Sequence, residues 1–335
     1  MSFFSRMLDT FESAESFLEN VIDYKGTTRR DGLTSVATQI ANIEMNQSSV
    51  AHHDTLNATA YRQQPYRDDD KRIELRHRIY SELISKPHLD DDDKIKLGSG
   101  GALPKGSIKS EHQAYIVIGL PASGKSGIAQ HISDTYGAII VDSDYAKRKL
   151  PEYKQPYGAF IVHNESSSIV MGDSNSSESV LMFAITNGYN VVIPKIGDTS
   201  NKIYELASSL KAQKYEVHLI LVRLDRVKAT NRAVYRFVST KRYVPLAMIF
   251  DEYSNNPTIT FYDLMHNIPE RKRCIKSFTM LSTDVPREKK FEVWYTTQYS
   301  PISKNGEFAN EKSKKTNRQG NDNTRGIKAR NASHR

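Results

Sequence analysis

AYIVIGLPASGKS, residues 114–126, decides the fold. Its first part, Tyr115–Ile118, is a short apolar run rich in β-branched residues and closed by Gly119, the pattern of a buried strand. Gly119 to Ser126 then fits G-x-x-x-x-G-K-[ST], and Gly127 to Tyr136 puts Ile128, Ala129 and Ile132 on one helical face. Strand, glycine loop and helix in that order are the setting a phosphate-binding loop requires. Glycines at 119 and 124 let successive backbone N–H groups point at one phosphate, and the helix adds its positive dipole end. Lys125 would reach the β- and γ-phosphates, and the Ser126 hydroxyl would ligand Mg²⁺. The candidate nucleotide-binding set is Gly119, Ala122, Ser123, Gly124, Lys125, Ser126 and Gly127, with ATP or GTP and Mg²⁺ as the expected cofactors.

Outward from this stretch, strand and helix alternate. Ala138–Val141, Asn190–Ile193, Glu216–Val222, Lys276–Leu281 and Phe291–Tyr295 read as further strands, with helices over residues 177–187 and 201–213. Such alternation predicts an α/β fold of P-loop NTPase type, a parallel sheet with helices on both faces and ligands at the carboxyl ends of its strands. The expected domains are a small helical region (1–97), a Gly/Ser-containing linker (98–112), the P-loop kinase domain (113–299) and a disordered basic tail (300–335). The first region carries apolar stripes at helical spacing: Phe3, Met7, Leu8 and Phe11; Val36, Ile40 and Ile43; Ile73, Leu75, Ile79 and Leu83. Residues 46–70 read as polar and loose, and the run Asp90 to Asp93 as a solvated loop.

The chain has 335 residues, 38% apolar and 26% charged, with a net charge of +8. Nine Lys or Arg against three acidic residues after position 299 account for +6 of that charge. The basic balance thus belongs to the tail and does not imply a folded nucleic-acid surface; nucleic-acid contact is expected only through the tail. A single cysteine, Cys274, rules out an internal disulfide and fits a reducing compartment. No run approaches the roughly 20 apolar residues of a membrane span, and early acidic residues argue against a secretory signal. A cytoplasmic protein without a membrane span is expected.

Asp142-Ser143-Asp144 closes the second strand, which would put one or both carboxylates near a γ-phosphate. One aspartate would accept the proton of a hydroxyl substrate and the other would hold Mg²⁺; Asp144 also suits a helix N-cap. Arg232, Arg236 and Arg242 follow the fourth strand, and the first two share a helix face. They would clamp phosphates, or simply form a basic solvated face. His163 and Glu165 are weaker polar candidates, and the scattered histidines suggest no zinc site.

Four features in order resemble the zeta toxin family of P-loop phosphotransferases: GLPASGKS; VDSDYAKRKLPEY; GYNVVIPKIGDT; and LKAQKYEVHLILV followed by arginines and RYVP. The resemblance covers residues 113–295. It implies transfer of phosphate from a nucleotide to a sugar hydroxyl of UDP-N-acetylglucosamine, and a small helical antitoxin as partner. By motif position, Lys125 and Ser126 would bind nucleotide phosphates and Mg²⁺; Asp142 is the candidate metal ligand by its place at the strand end. Asp144 would be the general base, Arg242 the arginine before the proline turn, and Arg232 the earlier arginine, with Arg236 competing for that place. Where the family has a glutamate, a glycine and a threonine, this chain reads Pro194-Lys195-Ile196-Gly197. That departure keeps open a polynucleotide, nucleoside or dinucleotide kinase. A third reading is a switch that binds nucleotide without transferring phosphate.

Overall fold

Gln113–Ile118 is hydrogen-bonded on both sides, and its residues from Ala114 onward are buried, which is why it reads as an unbroken apolar run. The computed structural model describes residues 7–26, 30–50, 53–155, 157–173, 178–267, 273–286 and 288–308. Three helices come first: α1 (Phe11–Ser16, continued by a wide turn Phe17–Val21), α2 (Arg30–Val50) and α3 (Asp69–Ser85). Next come β1 (Gln113–Ile118), α4 (Lys125–Tyr136), β2 (Ile139–Ile140) and α5 (Ser143–Lys147). They are followed by α6 (Gly158–Ile161), α7 (His163–Met171), α8 (Val180–Thr186), β3 (Val191–Lys195), α9 (Ser200–Ala212) and β4 (Glu216–Arg223). The series ends with α10 (Arg226–Thr240), α11 (Asn256–Tyr262), β5 (Ser277–Ser282) and β6 (Glu292–Thr296).

The strand order is β2-β3-β1-β4-β5-β6. The first five strands pair in parallel, as expected, and β6 turns back antiparallel on β5 at the edge. From β1 the chain moves to one side of the sheet and then, after β3, to the other. Right-handed crossovers therefore put α4 and α9 on opposite faces and open a crevice at the carboxyl end of β1. Local chemistry starts the helices at the right places. Asp68, Asp142, Ser179, Thr199 and Asp225 each accept a backbone N–H in the first turn of α3, α5, α8, α9 and α10.

Residues 98–112 are not a free linker. Ala102 is buried, its carbonyl accepts the Ile140 N–H of the short edge strand β2, and His88 N–H donates to the Leu103 carbonyl. Gly101 is there for close approach rather than flexibility: a Cβ on it would stand 2.1 Å from the Lys86 carbonyl oxygen. The packed chain also runs past residue 300. Ile302 and Phe308 are fully buried, and Phe308 sets its ring against His131 and Phe291. The expected tail thus begins later than Ser300, because two apolar side chains find the core; residues 309–335 lie outside the described residues.

The helices before the sheet belong to two separate cores. Leu75, Ile79 and Leu83 of α3 join the sheet core. Phe17, Leu18, Val36 and Ile40 instead pack with Leu120 of the phosphate loop and with Ala233, Val234 and Phe237 of α10. The segment 53–68, expected to be loose, is held by a buried ion network. Arg72 lies between Glu152 and Glu165, donating to both Glu152 oxygens at 3.0 Å and to Glu165 Oε1 at 2.7 Å. Arg76 Nε reaches the same Glu165 oxygen at 2.6 Å, Gln63 N–H donates to Glu152 at 2.7 Å, and Thr55 donates to Glu165. Glu165, a polar candidate in the sequence, is therefore committed to structure.

Burial alone would raise Glu165, but hydrogen bonds and charge from Arg72, then Arg76, hold it below its ordinary carboxylate value. The stability it contributes is complete above pH 4.5, its unfolded value, and is lost as pH falls through the lowered native value. Arg72→Met would leave two carboxylates without their shared partner in the core. We expect a loss of about 3–5 kcal/mol, read as a lower urea midpoint at unchanged slope. A loss under about 1 kcal/mol would mean that the network does not hold α3 to the domain.

Candidate active site

β1 delivers the chain to Gly119, which lies against β4: a Cβ there would stand 2.6 Å from the Val222 carbonyl oxygen and 2.9 Å from Ser123 Oγ. The loop is drawn tight. Ala122 has φ of +60°, a left-handed conformation that costs a non-glycine residue energy and gathers at functional sites. Gly124 follows with φ of +93°. Lys125 Nζ donates to the carbonyls of Gly119 and Leu120, both at 2.7 Å, so the loop wraps its own ammonium. Ser123 Oγ is buried without a hydrogen-bond partner at the centre of this cradle. An orphaned hydroxyl in a glycine loop that opens a helix suits an anion, and a phosphate fits the residues present.

The carboxyl end of β2 brings up the two aspartates. Asp142 caps α5, accepting the Asp144 N–H at 2.9 Å. Asp144 carries its own cations: Lys147 Nζ at 3.1 Å and the guanidinium of Arg242. These environments drive the pair apart. Burial, then the neighbouring Asp144, pushes Asp142 up to about 6. Burial would also raise Asp144, yet Lys147, Arg242 and Arg148 hold it well below the usual carboxylate range. A divalent cation would relieve Asp142. One carboxylate plus the exposed Ser126 hydroxyl, completed by phosphate oxygens and water, is a donor set that fits Mg²⁺.

The arginines divide in a way their spacing does not reveal. Arg232 donates to the hydroxyl and carbonyl of Thr283, both at 2.9 Å, and Thr283 in turn donates to the Ser123 carbonyl at 2.7 Å. It braces the phosphate loop from behind. Arg236 and Arg242 lie within electrostatic reach of Lys125. Arg236 Nε is buried without a partner, and burial followed by Arg242 lowers its pKa to about 10. Of the two arginines that compete for the family's earlier position, Arg232 is hydrogen-bonded to Thr283 and Arg236 lies in the field of Lys125.

Asp93, Lys147 and Arg148 join the site although sequence reasoning did not place them there, and His163, a weaker polar candidate in the sequence, lies beside them. Asp93 faces Arg148 at 3.4 Å and Arg242 at 3.7 Å, while its neighbour Asp92 accepts from Gln130 at 2.9 Å. The acidic run is therefore half docked, because the cations on and beside α5 and after α10 draw it in. Lys147 and Arg148 flank Asp144, and the basic dipeptide after the aspartates was their only signal. His163 stands at the start of α7 in the fields of Lys147, Asp144 and Lys195, and its pKa is lowered by burial and then by Lys147.

The Lys125 ammonium also carries a pH signature. Burial lowers it to about 8, against the pull of Asp142 and Asp144. A phosphate beside it favours the charged form, so nucleotide affinity should weaken as pH rises above about 8, with net proton uptake on binding. Calorimetric titration with ATP in buffers of different ionisation enthalpy reads both effects. Affinity that stays flat up to about pH 9.5 without proton uptake would remove Lys125 from the phosphate site.

The zeta toxin family model matches residues 106–273. A toxin zeta of Enterococcus hirae is 22% identical over 163 residues, 48% of this chain and 54% of that protein. One of Streptococcus agalactiae is 25% identical over 127 residues, 37% and 44%. The chain spans about half the length of the curated relatives it matches. A solved structure of the PezAT chromosomal toxin–antitoxin system of Streptococcus pneumoniae superposes with a TM-score of 0.46 at 16% identity, covering 73% of this chain and 86% of that one. An AvrRxo1-ORF1:-ORF2 complex with ATP gives 0.43 at 14% identity, covering 76% and 74%. No helix among the described residues is long and apolar enough to cross a membrane. Half of the chain, from just before β1 to just before β5 and including the phosphate loop, both aspartates and all three arginines, matches that model, and the chain belongs to the zeta toxin family.

Proposed function

We propose that the protein is a phosphotransferase that moves the γ-phosphoryl group of ATP or GTP to a hydroxyl of a small acceptor, UDP-N-acetylglucosamine or another nucleotide. One observation carries the reading: Lys125, the Asp142–Asp144 pair, Arg236 and Arg242, from three distant parts of the chain, meet at one edge of the sheet. Bound nucleotide supplies the transferable phosphoryl group, with Mg²⁺ offsetting its charge. The loop N–H groups and Lys125 hold the β- and γ-phosphates; Ser126 and Asp142 would hold the metal. Arg236 and Arg242 offset the charge that develops on the transferring group. Asp144, ionised at neutral pH, orients the acceptor hydroxyl and takes its proton as the oxygen attacks phosphorus and the nucleoside diphosphate leaves. Arg242 is then shared between Asp144 and phosphate. The curated relatives are named toxins, and a protein antitoxin as partner is proposed on that ground alone.

Mass spectrometry of products formed from ATP or GTP, Mg²⁺ and a pool of UDP-N-acetylglucosamine, nucleosides and dinucleotides tests the reading. A phosphorylated acceptor is expected. ATP hydrolysis or binding without any such product would leave a nucleotide-dependent switch. Asp144→Asn should keep ATP affinity and lower transfer by roughly 10²–10⁴-fold. Transfer that survives in Asp144→Asn but fails in Asp142→Asn would move the base to Asp142, whose carboxyl at about 6 is the stronger proton acceptor.

A further inference from the structure

The two halves of the phosphate loop are held by different parts of the molecule. Leu120 is buried in the second core with Ala233, Val234 and Phe237 of α10, and Ala122 packs against that core. Ser123 and Gly124 are held by Thr283, the residue that follows β5. Its hydroxyl donates to the Ser123 carbonyl at 2.7 Å, and a Cβ on Gly124 would stand 3.0 Å from its methyl group. Behind it Arg232, also on α10, donates to that hydroxyl and to the Thr283 carbonyl, both at 2.9 Å. Guanidinium, hydroxyl and carbonyl form one directed chain, in which each hydrogen bond polarises the next. One turn earlier on α10, Lys228 pairs with Asp284 at 2.6 Å and fastens the same segment at the surface.

A threonine hydroxyl has one proton to give. With Arg232 donating to the oxygen, that proton is committed to the Ser123 carbonyl. A trans peptide is planar, so its carbonyl and its N–H point in opposite directions. Holding the Ser123 carbonyl toward Thr283 therefore turns the Gly124 N–H away from Thr283. The loop needs such a tie. Ala122 and Gly124 have φ of +60° and +93°, and a non-glycine residue in that region persists only where its surroundings over-determine it. Gly124 is also the N-cap of α4 and has no side chain to cap it, so the direction of its peptide decides how the helix end meets a phosphate. Packing accounts for the Thr283 methyl against Gly124. It does not account for a hydroxyl that relays an arginine to the loop backbone.

We propose that Thr283 is a positioning residue of the nucleotide site: backed by Arg232, its hydroxyl sets the Ser123–Gly124 peptide so that the Gly124 N–H faces the bound phosphate. This rests on the reading of the loop as a nucleotide site and deepens it. Arg232 acts through Thr283 and does not touch phosphate itself. Thr283 lies outside residues 106–273, the part of the chain that matches the family model. The loop backbone cradles phosphates that ATP and ADP share, so both nucleotides feel the relay alike. An arginine aimed at the γ-phosphate would instead favour ATP over ADP.

Calorimetric titration of the full-length protein with ATP and with ADP, both with Mg²⁺, tests the relay. Thr283→Val keeps a methyl group against Gly124 and loses the hydroxyl; Thr283→Ser does the reverse. Thr283→Val should bind both nucleotides roughly ten- to a hundred-fold more weakly, and Thr283→Ser should stay within about threefold of wild type. Arg232→Met should also weaken ATP and ADP alike, and the double variant should lose no more than the larger single loss. Urea midpoints of the nucleotide-free variants show which of them fold, and Arg232→Met reads the relay even where Thr283→Val does not. Wild-type affinity in Thr283→Val, equal losses in Thr283→Val and Thr283→Ser, or losses at 283 and 232 that add, overturn the proposal. So does an Arg232→Met that weakens ATP and spares ADP. Wild-type protein that binds neither nucleotide overturns the relay together with the phosphate-loop reading. The phosphotransferase reading fails separately: binding that follows the Thr283 hydroxyl, without any phosphorylated acceptor, would leave Thr283 in its role in a protein that transfers nothing.

Discussion

The Asp144 carboxylate is held between Lys147 on its own helix and Arg242, which lies 98 residues further along the chain. That arrangement sets the position of most of the site. It closes the segment after α10 over the end of β2, brings Arg236 into the field of Lys125, and draws Asp93 inward against Arg148 and Arg242. Two carboxylates so close cannot share one environment. The cations gather on Asp144, and Asp142 is left with burial and a neighbouring negative charge. A divalent ion or a proton would settle at Asp142 for that reason.

The helices before the sheet bear on this arrangement through packing. Glu44 of α2 is buried, accepts the Leu8 N–H at 2.7 Å and binds the Tyr243 hydroxyl. Tyr243 follows Arg242 directly, so the first helices support the backbone that carries the site arginine. Phe17, Leu18 and Ile40 meet Leu120 of the phosphate loop in the same cluster. The first two helices are built onto the unit that carries the phosphate loop, and their apolar stripes are part of a second core, whereas that of α3 joins the sheet core.

Several details of the site were not readable from local pattern. Helical spacing puts Arg232 and Arg236 on one face, but only the approach of Thr283 gives Arg232 hydrogen-bond partners, while Arg236 Nε is buried without one. The acidic run at 90–93 looks like solvated surface in isolation, and the cations that draw half of it in lie more than 50 residues away. Gly98 to Gly101 has a flexible composition, yet Gly101 serves close backbone contact with Lys86. Lys195 is visible in the sequence as a departure from the family pattern. Its hydrogen bond to the Met171 thioether and its place in the field of Asp142 emerge only when β2, β3 and α7 are assembled.

What the sequence determined alone was whatever depends on a few consecutive residues. It includes the strand before the phosphate loop, the glycines and lysine of that loop, and the alternation that implies a sheet with crossover helices; the cap it offered for α5 was Asp144, where the structure uses Asp142. Such signals work through backbone geometry and side-chain periodicity, which span a turn or a strand. The tertiary structure decided which charges became partners, which glycines were tight contacts, and that Ile302 and Phe308 pack into the core. Those outcomes depend on Coulombic and packing contacts between segments distant in sequence, and such energies exist only once the sheet has brought its strand ends together.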